Sequence, residues 1–333
     1  MNPVSPLRVL TVTNMYPTPQ RPIHGTFVAE EVAALRRRGI KVDVLFIDGP
    51  TSKLNYARGV SQVRRAVARA DDASRYDLVH AHYVFSGVIA LAQGRLPVVL
   101  TQHGIEAQEG WTAPLSRWTS RRVAFTVATS PRVAAALGAP RTAVLPCGVD
   151  TNLFCPMPRD AARRALGLLP DGPVVLFVGA PRPEKRLSLI ESAVDLLRGE
   201  MRSAQLWVVT DEPRERIPLY MNAADALALA SVAEGSPMVV REALACDLPV
   251  VSTDVGDVAS LIEDLPGCYV AAPDPVDFAR RLRLSLEQGR RCGGRSRILP
   301  WSLDQVAERL ESIYREVLDR RSTRTAPTGK MRP

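Results

Sequence analysis

The sequence predicts an α/β protein of two doubly wound domains, each a parallel sheet with helices on both faces. Its 333 residues correspond to about two domains of ordinary size, and 46% hydrophobic residues are enough to build a core in each. Short runs rich in Val, Leu and Ile alternate with longer helical patterns, which is typical of consecutive βαβ units. A segment rich in Pro and Gly, from Cys147 to Pro173, separates two such series and is the best domain boundary.

The first series contains a helix with one apolar side, Thr26–Arg38, which ends before Gly39. Around it the apolar runs predict strands at Arg8–Thr13, Lys41–Ile47, Asp77–His80, Pro97–Thr101, Phe125–Ala128 and Ala143–Pro146.

The second series repeats this pattern. Its apolar runs predict strands at Pro173–Val178, Gln205–Val209, Ala226–Leu229, Pro249–Ser252 and Cys268–Val270. Helices are predicted near Leu187–Leu197, Val239–Ala245, Asp257–Ile262, Val276–Gln288 and Leu303–Asp319.

These elements predict a first domain over residues 1–160, a second over 161–302, a C-terminal helix over 303–320 and a disordered tail over 321–333. Two consecutive doubly wound domains place a cleft between them, lined by loops at the carboxyl ends of both sheets. A ligand in that cleft would touch both domains.

The composition excludes several protein classes. No stretch approaches the roughly 18 apolar residues of a spanning helix, and the first ten residues lack the pattern of a signal peptide, so we expect a cytoplasmic protein. The five cysteines are odd in number and never in Cys-x-x-Cys spacing, which favours reduced thiols. No zinc-finger, RNA-recognition or helix-turn-helix pattern occurs, so nucleic acid is not an expected partner.

The net charge of +8 lies entirely in the first part of the chain. Residues 1–150 hold 18 basic residues against 10 acidic ones, and the remainder holds 25 of each. A basic domain can face an anionic substrate or an anionic membrane surface. A solvated basic face in an arginine-rich protein explains the same count.

The segment from Ala230 to Asp257 holds the most informative motif. Glu234 and Glu242 stand eight residues apart, and a Gly-Ser-Pro turn between them opens a helix. A glycine turn at a helix amino end suits a phosphate, and Glu242 can accept hydrogen bonds from vicinal hydroxyls. Taken alone, the two carboxylates are better explained as a helix-start residue and one end of a surface ion pair.

Two other loops follow predicted strands. Arg182 and Lys185 lie between a strand and a helix, where two cations can neutralise a diphosphate. Gly25 lies between the first strand and the first helix, where a missing side chain allows the backbone to approach an anion. A solvated loop and a simple turn glycine are the plain alternatives.

The histidines form a third group. His80 and His82 are two residues apart on a strand end and share one face, and with His103 they form a conceivable metal site. Catalytic zinc usually brings supporting carboxylates, whereas histidines near a cleft are more often held by hydrogen bonds. We therefore predict no metal.

Together these motifs resemble the family-4 retaining glycosyltransferases, which have the GT-B fold. The two glutamates match the Glu-x7-Glu signature of that family. The short sequences EGSP and DVGDV resemble those of exopolysaccharide and teichuronic-acid transferases. The resemblance runs from about Arg8 to about Tyr314. Further segments follow in family order: GTFVAEEVAALRRRG, DLVHAHY, TQHGIE, VLPCGVDTNLFCP, VLFVGAPRPEKR and YMNAADALALASVAEG.

The resemblance implies two Rossmann-like domains facing across a cleft, with the C-terminal helix crossing back to the first domain. It implies that Glu242 holds the ribose, Glu234 and His103 the transferred sugar, and Arg182 and Lys185 the diphosphate. Further substrate contacts are implied for Gly25, His82, Gly235, Ser236, Met238 and Val239.

The implied reaction transfers a sugar from a nucleoside diphosphate sugar, UDP- or GDP-linked, to an acceptor glycan, lipid-linked glycan or natural product. We expect neither cofactor nor metal, because the sequence lacks Asp-x-Asp, the nicotinamide-binding fingerprint and the P-loop motif. A lipid-linked or anionic acceptor predicts peripheral association with the anionic inner face of the membrane.

Three residues depart from the family pattern. Ala180 stands where relatives have Arg, Cys147 where they have Asn, and Asp247 where they have Gly. These departures leave open a non-catalytic partner subunit that binds nucleotide sugar. An epimerase or hydrolase of nucleotide sugars with the same fold also stays open.

Overall fold

The computed structural model describes residues 6–49, 51–69, 75–108, 110–168 and 172–325. The chain divides into two compact units. The first comprises the described residues up to Thr129, Val133–Leu145 and the chain from Asp304 onward, and the second comprises Ser130–Arg132 and Pro146–Leu303. Each unit is built on one parallel sheet with helices packed against it, so the predicted fold class is confirmed.

The first unit has a six-stranded sheet. Its strands are β1 (Arg8–Thr13), β2 (Lys41–Phe46), β3 (Leu78–His82), β4 (Val98–Gln102), β5 (Phe125–Ala128) and β6 (Thr142–Val144). The strand order is β2-β1-β3-β4-β5-β6, and all neighbours are parallel. Strands β3 and β4 are buried over their whole length, because helices cover both faces of the sheet.

The helices around this sheet follow the strands in alternation. They are α1 (Thr26–Arg37), α2 (Leu54–Arg69), α3 (Val84–Leu91), α4 (Ile105–Gln108), α5 (Thr112–Arg122), α6 (Pro131–Leu137) and the C-terminal α14 (Leu303–Thr325). Helix α14 buries Leu310, Tyr314 and Val317. From Asp304 onward it belongs to the first unit, as the resemblance implied.

The second unit has a five-stranded sheet in the order β11-β10-β9-β7-β8, again parallel. Its strands are β7 (Val174–Val178), β8 (Gln205–Val209), β9 (Ala226–Leu229), β10 (Val250–Ser252) and β11 (Tyr269–Val270). Its helices are α7 (Arg159–Leu166), α8 (Leu187–Arg198), α9 (Ile217–Ala223), α10 (Met238–Ala245), α11 (Val258–Ile262), α12 (Pro275–Gln288) and α13 (Arg295–Ile298), with short 3₁₀ helices at Pro183–Lys185, Arg214–Arg216 and Leu299–Trp301.

Each sheet has one point at which the strand order reverses, between β1 and β3 in the first and between β7 and β9 in the second. In doubly wound sheets, ligands bind at the carboxyl ends of the strands beside this point. The residues at or just after these strand ends include Gly25 and His82 in the first unit, and Lys185 and Glu234 in the second. The topology therefore brings predicted site residues to a ligand-binding edge in each unit.

The boundary between the units lies earlier than the predicted division at residues 160 and 161. Val149 and Phe154 are fully buried in the core of the second unit. The Arg295 guanidinium donates to the carbonyls of Thr151 and Phe154 at 2.8 Å each. The segment rich in Pro and Gly is thus packed into the second unit from Pro146 onward.

The C-terminal helix is longer than predicted. Residues 321–325, which we expected to belong to a disordered tail, continue α14 to Thr325. The Arg321 guanidinium donates to the Arg95 carbonyl at 2.8 Å, and Ser322 Oγ donates to the Asp319 carbonyl at 2.7 Å. The rest of that predicted tail, residues 326–333, lies outside the described residues.

Within the described part of the chain, none of the helices combines the length and apolar character needed to span a bilayer. All five cysteines are free thiols, as their spacing predicted.

Candidate active site

Two predicted site residues form an ion pair where the second sheet reverses its strand order. Lys185 ends the short helix after β7, and Glu234 lies in the loop after β9. Lys185 Nζ lies 2.5 Å from Glu234 Oε1, and each side chain is 17% exposed. The Val232 N–H donates to the Glu184 carbonyl at 2.9 Å and joins the two loops. This edge therefore presents an ammonium and a carboxylate side by side.

The amino end of α10 follows the Glu234 loop and is held by a buried polar cluster. Arg241 Nε donates to Ser236 Oγ at 2.7 Å, and the Arg241 guanidinium also pairs with Asp257. Ser236 Oγ donates to the same Asp257 carboxylate at 3.2 Å. No side chain caps the first turn of α10, so its amides and the positive end of the helix dipole suit a phosphate.

The remaining residues predicted to contact the donor lie at this same end of α10. Met238 and Val239 are the first two residues of the helix, and Gly235 precedes them. The loop between β10 and α11 approaches Gly235 closely, because a Cβ added to Gly256 would lie 2.6 Å from the Gly235 carbonyl oxygen. Gly256 also has a φ of +58°, which favours glycine.

The second motif carboxylate has a cationic partner that the sequence did not reveal. Glu242 is 5% exposed, and its Oε1 lies 2.8 Å from Arg214 Nη1. The Arg214 guanidinium also lies over the Phe154 ring, 5.0 Å from its centroid. Arg214, from the segment that follows β8, neutralises the Glu242 charge and orients the carboxylate.

Arg182 does not join the Lys185 and Glu234 pair. Its side chain is 62% exposed, and its Nε lies 3.2 Å from Glu184 Oε1 on the same loop. The loop begins at Gly179, which has a φ of +134° and therefore favours glycine. A role for Arg182 on the diphosphate remains a prediction.

In the first unit, Gly25 begins α1 in a backbone conformation that only glycine adopts easily. Its φ is +71°, and an added Cβ would lie 2.3 Å from the backbone carbon of Met15. The loop after β1 thus passes directly against the amino end of α1. The predicted close approach of backbone at Gly25 is present, and its contact with a ligand stays a prediction.

The three predicted histidines lie together and are joined by side chains that the sequence analysis missed. His82 Nδ1 lies 3.1 Å from His103 Nε2, and His82 Nε2 lies 3.2 Å from Glu31 Oε1. His80 contacts Thr101 Oγ1 through Nε2 at 2.8 Å and the Tyr314 hydroxyl through Nδ1 at 2.7 Å. All except His103, which is partly exposed, are buried.

Burial controls the protonation of this group. It lowers the pKa of His103 to about 3, and the neighbouring His82 adds to this shift. Burial also holds the pKa of His80 well below its ordinary value and the pKa of Tyr314 well above. His80 and His103 are therefore neutral imidazoles near pH 7, each with one donor and one acceptor nitrogen.

The compact set of metal-type ligand atoms differs from the one considered from sequence. Among the described residues, Glu31, His80 and His82 bring one such atom each within 4.8 Å of one another, whereas His103 is not part of the set. Both His80 nitrogens have hydrogen-bond partners, and His82 lies between Glu31 and His103. Hydrogen bonds therefore hold His80 and join His82 to His103, whereas Glu31 Oε1 and His82 Nε2, although 3.2 Å apart, are buried without a hydrogen-bond partner among the described residues.

The missed residues gave little signal in the sequence. Arg214 and Glu31 come from segments in which charged residues are common, and only the fold brings them to the motif residues. Asp257 lies at the end of the segment we singled out, but nothing in the spacing linked it to Arg241.

Known proteins with similar sequences are glycosyltransferases. Residues 24–153 match the model of Glycosyltransferase Family 4, and residues 214–288 match that of Glycosyl transferases group 1. The D-inositol 3-phosphate glycosyltransferase of Nocardia farcinica is 29% identical, and the match covers 70% of this chain and 62% of that relative. The putative teichuronic acid biosynthesis glycosyltransferase TuaC of Bacillus subtilis is 25% identical, with 77% and 83% covered.

Solved structures show the fold. Sucrose-phosphate synthase from Thermosynechococcus elongatus has a TM-score of 0.79 at 18% identity, covering 94% of this chain and all of that one. HepE of Anabaena, solved in complex with UDP, has a TM-score of 0.69 at 17% identity, covering 93% of this chain and all of that one. The chain therefore has the GT-B fold of glycosyltransferases, and its sequence matches the model of Glycosyltransferase Family 4 followed by that of Glycosyl transferases group 1.

Proposed function

We propose that the chain is a retaining glycosyltransferase that moves a sugar from a UDP- or GDP-linked donor to an acceptor hydroxyl. The observation that carries the proposal is the Lys185 and Glu234 pair beside the uncapped amino end of α10. An ammonium and helix amides suit a diphosphate, and an adjacent carboxylate suits the hydroxyls of the sugar attached to it. The matching relatives are glycosyltransferases, and one structural neighbour binds UDP.

In the proposed reaction, the bond between the anomeric carbon and the diphosphate oxygen breaks and its electron pair stays on the diphosphate. Lys185 and the first amides of α10 stabilise this charge. The acceptor oxygen bonds to the anomeric carbon on the face that the diphosphate leaves, so the configuration is retained. The acceptor proton passes to the departing diphosphate oxygen. Because cationic and dipolar groups supply the stabilisation, the proposal assigns no step to a metal.

The nucleoside end of the donor is assigned to Glu242. Its carboxylate accepts hydrogen bonds from the ribose hydroxyls, and Arg214 holds it in position from the neighbouring loop. Glu234 serves the hydroxyls of the transferred sugar. These two assignments put the motif carboxylates at opposite ends of the diphosphate.

The first unit is assigned to the acceptor, with Gly25 and His82 near it and His103 on the transferred sugar. Two similar proteins are named for D-inositol 3-phosphate and for teichuronic acid, both of which carry negative charge. An anionic or lipid-linked envelope glycan agrees with the excess of basic residues in the first part of the chain. A natural-product acceptor is the competing class.

We also propose that the protein is cytoplasmic and associates peripherally with anionic membrane. In the first unit, a cavity of about 750 Å³ has no Asp or Glu among its described lining residues. It lies near the amino ends of β4, β5 and β6, away from the edge with the predicted site residues. Its basic lining residues are Arg95, Arg121, Arg122, Arg141, Arg320 and Arg321.

Vesicle flotation tests the membrane proposal. We expect the protein to float with vesicles that contain phosphatidylglycerol, not with phosphatidylcholine vesicles, and to be released as salt rises. Absence of flotation with anionic vesicles at low salt would remove the proposal.

Donor binding is tested by thermal shift with UDP, GDP, ADP, dTDP and CMP and their common sugar conjugates. A nucleotide at 100 times its dissociation constant stabilises a protein by about 2.7 kcal/mol. We expect one nucleotide family to give this shift, and Lys185→Ala and Glu242→Ala to lose it. Lys41→Ala, which alters an exposed lysine of the first unit, is the matched control.

Retention and metal independence need separate measurements once a donor is found. The anomeric configuration of the product, read by proton NMR coupling, should equal that of the donor. Turnover should persist in EDTA. An inverted product or complete loss of turnover in EDTA would contradict the corresponding part of the proposal.

A further inference from the structure

Aromatic side chains from three segments of the first unit meet at the carboxyl edge of its sheet. Tyr56 lies on α2 after β2, Phe85 lies on α3 after β3, and Trp111 lies directly before α5, after β4. The centroid of the Phe85 ring lies 5.1 Å from that of Tyr56 and 5.6 Å from that of Trp111. We call these three rings the aromatic row. It is continuous with the edge that holds Gly25 and His82.

The first two rings of the aromatic row are held in place. The Asn14 side chain donates to the Tyr56 hydroxyl at 3.2 Å. Helix α3 packs closely against α5 at Gly87, where an added Cβ would lie 3.0 Å from the Thr119 side chain. Tyr56 and Phe85 therefore form a fixed support for the third ring.

The backbone between β3 and α3 is strained at Tyr83, next to this support. Its φ of 76° and ψ of 150° belong to a region that residues other than glycine rarely adopt. The Tyr83 N–H donates to the Thr101 carbonyl, and the Tyr83 carbonyl accepts from the Gly87 N–H, both at 3.0 Å. The Tyr83 ring lies 5.7 Å from the Phe85 ring. Strain of this kind is concentrated at functional sites, which favours a ligand at this edge.

Trp111 differs from the rings that support it in its exposure. It is 77% exposed, whereas Tyr56 and Phe85 are partly buried. Leu54 and Ile23, which follow β2 and β1, are also exposed. Exposed apolar groups at one edge of a protein are typical of a binding surface. The basic cavity lies near the amino ends of the strands, so an anionic membrane bound there would not cover Trp111.

We propose that Trp111 is a specificity-determining residue whose indole stacks on a sugar ring of the acceptor, which is therefore a glycan. A pyranose ring carries C–H groups on its faces, and the negative face of an indole attracts them. The hydroxyls of such a ring stay in water, which suits an open indole, whereas a wholly apolar acceptor needs an enclosed pocket. This inference rests on the proposed function and narrows its acceptor classes to glycans, free or lipid-linked.

Fluorine NMR of protein labelled with 5-fluorotryptophan tests the surface without any donor. The chain has four tryptophans, and Trp→Phe variants assign their signals. The probes are maltotriose, cellotriose and chitotriose. We expect at least one of them to shift the Trp111 signal saturably and to leave the signal of Trp118, which is 46% exposed on α5, unchanged.

Three outcomes of this experiment would overturn the proposal. The first is that none of the three glycans shifts the Trp111 signal. The second is that Trp118 responds as strongly as Trp111, which indicates unspecific contact. The third is that phosphatidylglycerol vesicles change the Trp111 signal and the glycans do not, which assigns the surface to a membrane.

Acceptor kinetics give an independent readout with a glycan that the protein glycosylates. Loss of a tryptophan that anchors a ligand typically costs about tenfold in affinity. We expect Trp111→Leu to raise the acceptor KM by about this factor without changing the donor KM, and Trp111→Phe to recover part of the loss. Trp118→Leu is the matched control and should leave both values unchanged.

The kinetic result also separates this inference from the proposed function. Equal acceptor KM in Trp111→Leu and the unmodified protein would contradict the role of Trp111. If a glycan shifts the Trp111 signal but the protein transfers no sugar to any acceptor, the proposed function fails and the glycan-binding surface stands.

Discussion

At the scale of single residues, a buried motif carboxylate needs a partner to stay charged. Glu242 is 5% exposed, and an isolated carboxylate at such a position is strongly disfavoured. Arg214, 2.8 Å away and itself 19% exposed, supplies the compensating charge. The presence of the glutamate in the sequence is therefore insufficient for the site, because its charge and orientation depend on a residue from another loop.

Replacement of Arg214 tests this dependence. Arg214→Ala leaves the Glu242 charge buried and unpaired, and we expect the unfolding free energy of the second unit to fall by about 2 kcal/mol. This value lies below that of a fully buried pair because Arg214 is partly hydrated. Urea unfolding measures the loss. Arg216→Ala removes a 49% exposed arginine of the same short helix and should change stability by less than about 0.5 kcal/mol. Equal effects of the two variants would contradict the argument.

Sequence comparison by motif found the carboxylates, the lysine and the histidines of the site, because these residues stand in recognisable local patterns. It did not find Arg214 or Glu31. Arg214 meets Glu242, and Glu31 meets His82, only because the fold brings separate segments of the chain together. The spacing of these residues along the sequence does not indicate the contacts. Arg182 illustrates the converse: its local pattern suits a diphosphate, yet its side chain is exposed and paired with Glu184.

At the scale of elements, the two ends of α1 separate backbone strain from close packing. Gly25 at the amino end and Gly39 after the carboxyl end both have positive φ, +71° and +82°. A Cβ on Gly39 would meet nothing within 4 Å, whereas one on Gly25 would lie 2.3 Å from the Met15 backbone. The two glycines thus share a positive φ and differ in how closely they are packed.

We expect Gly39→Ala to lower the unfolding free energy of the first unit by roughly 1–2 kcal/mol, which is the cost of a left-handed conformation for a residue with a Cβ. Gly25→Ala should cost more, because the Met15 backbone must also move. Urea unfolding of both variants measures this difference. Similar losses in both variants would show that the loop after β1 yields easily and does not hold the amino end of α1 in place.

Asp247 explains one departure from the family pattern. It follows α10 with a φ of +57°, a conformation that glycine adopts without strain and that Asp tolerates better than most residues. Its Oδ1 accepts a hydrogen bond from the Arg295 N–H at 2.8 Å, which glycine cannot offer. The hydrogen bond of the Asp247 side chain thus offsets a strain that a glycine at this position would not have.

Three variants of Asp247 should therefore differ in stability in a defined order. Asp247→Gly loses the hydrogen bond and gains an unstrained backbone, so we expect stability within about 1 kcal/mol of the unmodified protein. Asp247→Asn keeps both features and should also be close. Asp247→Ala keeps the strain without the hydrogen bond and should lose about 2 kcal/mol. Hydrogen exchange of α10 and of the segment around Arg295 reports the order, and an Ala variant as stable as the Gly variant would contradict it.

Strands were predictable to within one or two residues because both faces of a parallel sheet are covered and the runs are continuously apolar. The ends of the packed segments were not. Residues 321–325 of α14 are polar and resemble a tail, and the segment from Pro146 contains the prolines typical of a linker although Val149 and Phe154 fill a core. The composition of a segment indicates whether it tends to be exposed to solvent. Whether the segment is ordered depends on its contacts with distant parts of the chain, which composition does not reveal.

At the scale of the whole molecule, all four histidines of the chain belong to the first unit, and the second unit has none. Two of them, His80 and His103, are held neutral by burial, which lowers both pKa values, that of His103 to about 3. The groups that face them are Glu31 from α1, Thr101 from β4, His82 from β3 and Tyr314 from α14. The two units should therefore respond differently to mild acid.

The sign follows from proton uptake on unfolding. Below about pH 6.5 an unfolded histidine binds a proton, while His103 in the folded unit stays neutral until the pH approaches 3, so acid favours the unfolded state. Well above pH 6.5 neither state binds the proton, so a lowered pKa does not affect stability, and it destabilises the folded unit increasingly as the pH falls below 6.5. Between pH 7 and pH 5 we expect a loss of up to about 2 kcal/mol for each of these two histidines.

Hydrogen exchange with mass spectrometry, corrected for the intrinsic pH dependence of exchange, resolves the two units in one experiment. Peptides of β3 and β4 should lose protection between pH 7 and pH 5, and peptides of β7 and β9 should not, because carboxylates titrate mostly at lower pH. His103→Asn, which removes one of the two histidines with a lowered pKa, should reduce the loss in the first unit. Equal loss in both units would mean that these two histidines do not govern the acid response of this protein.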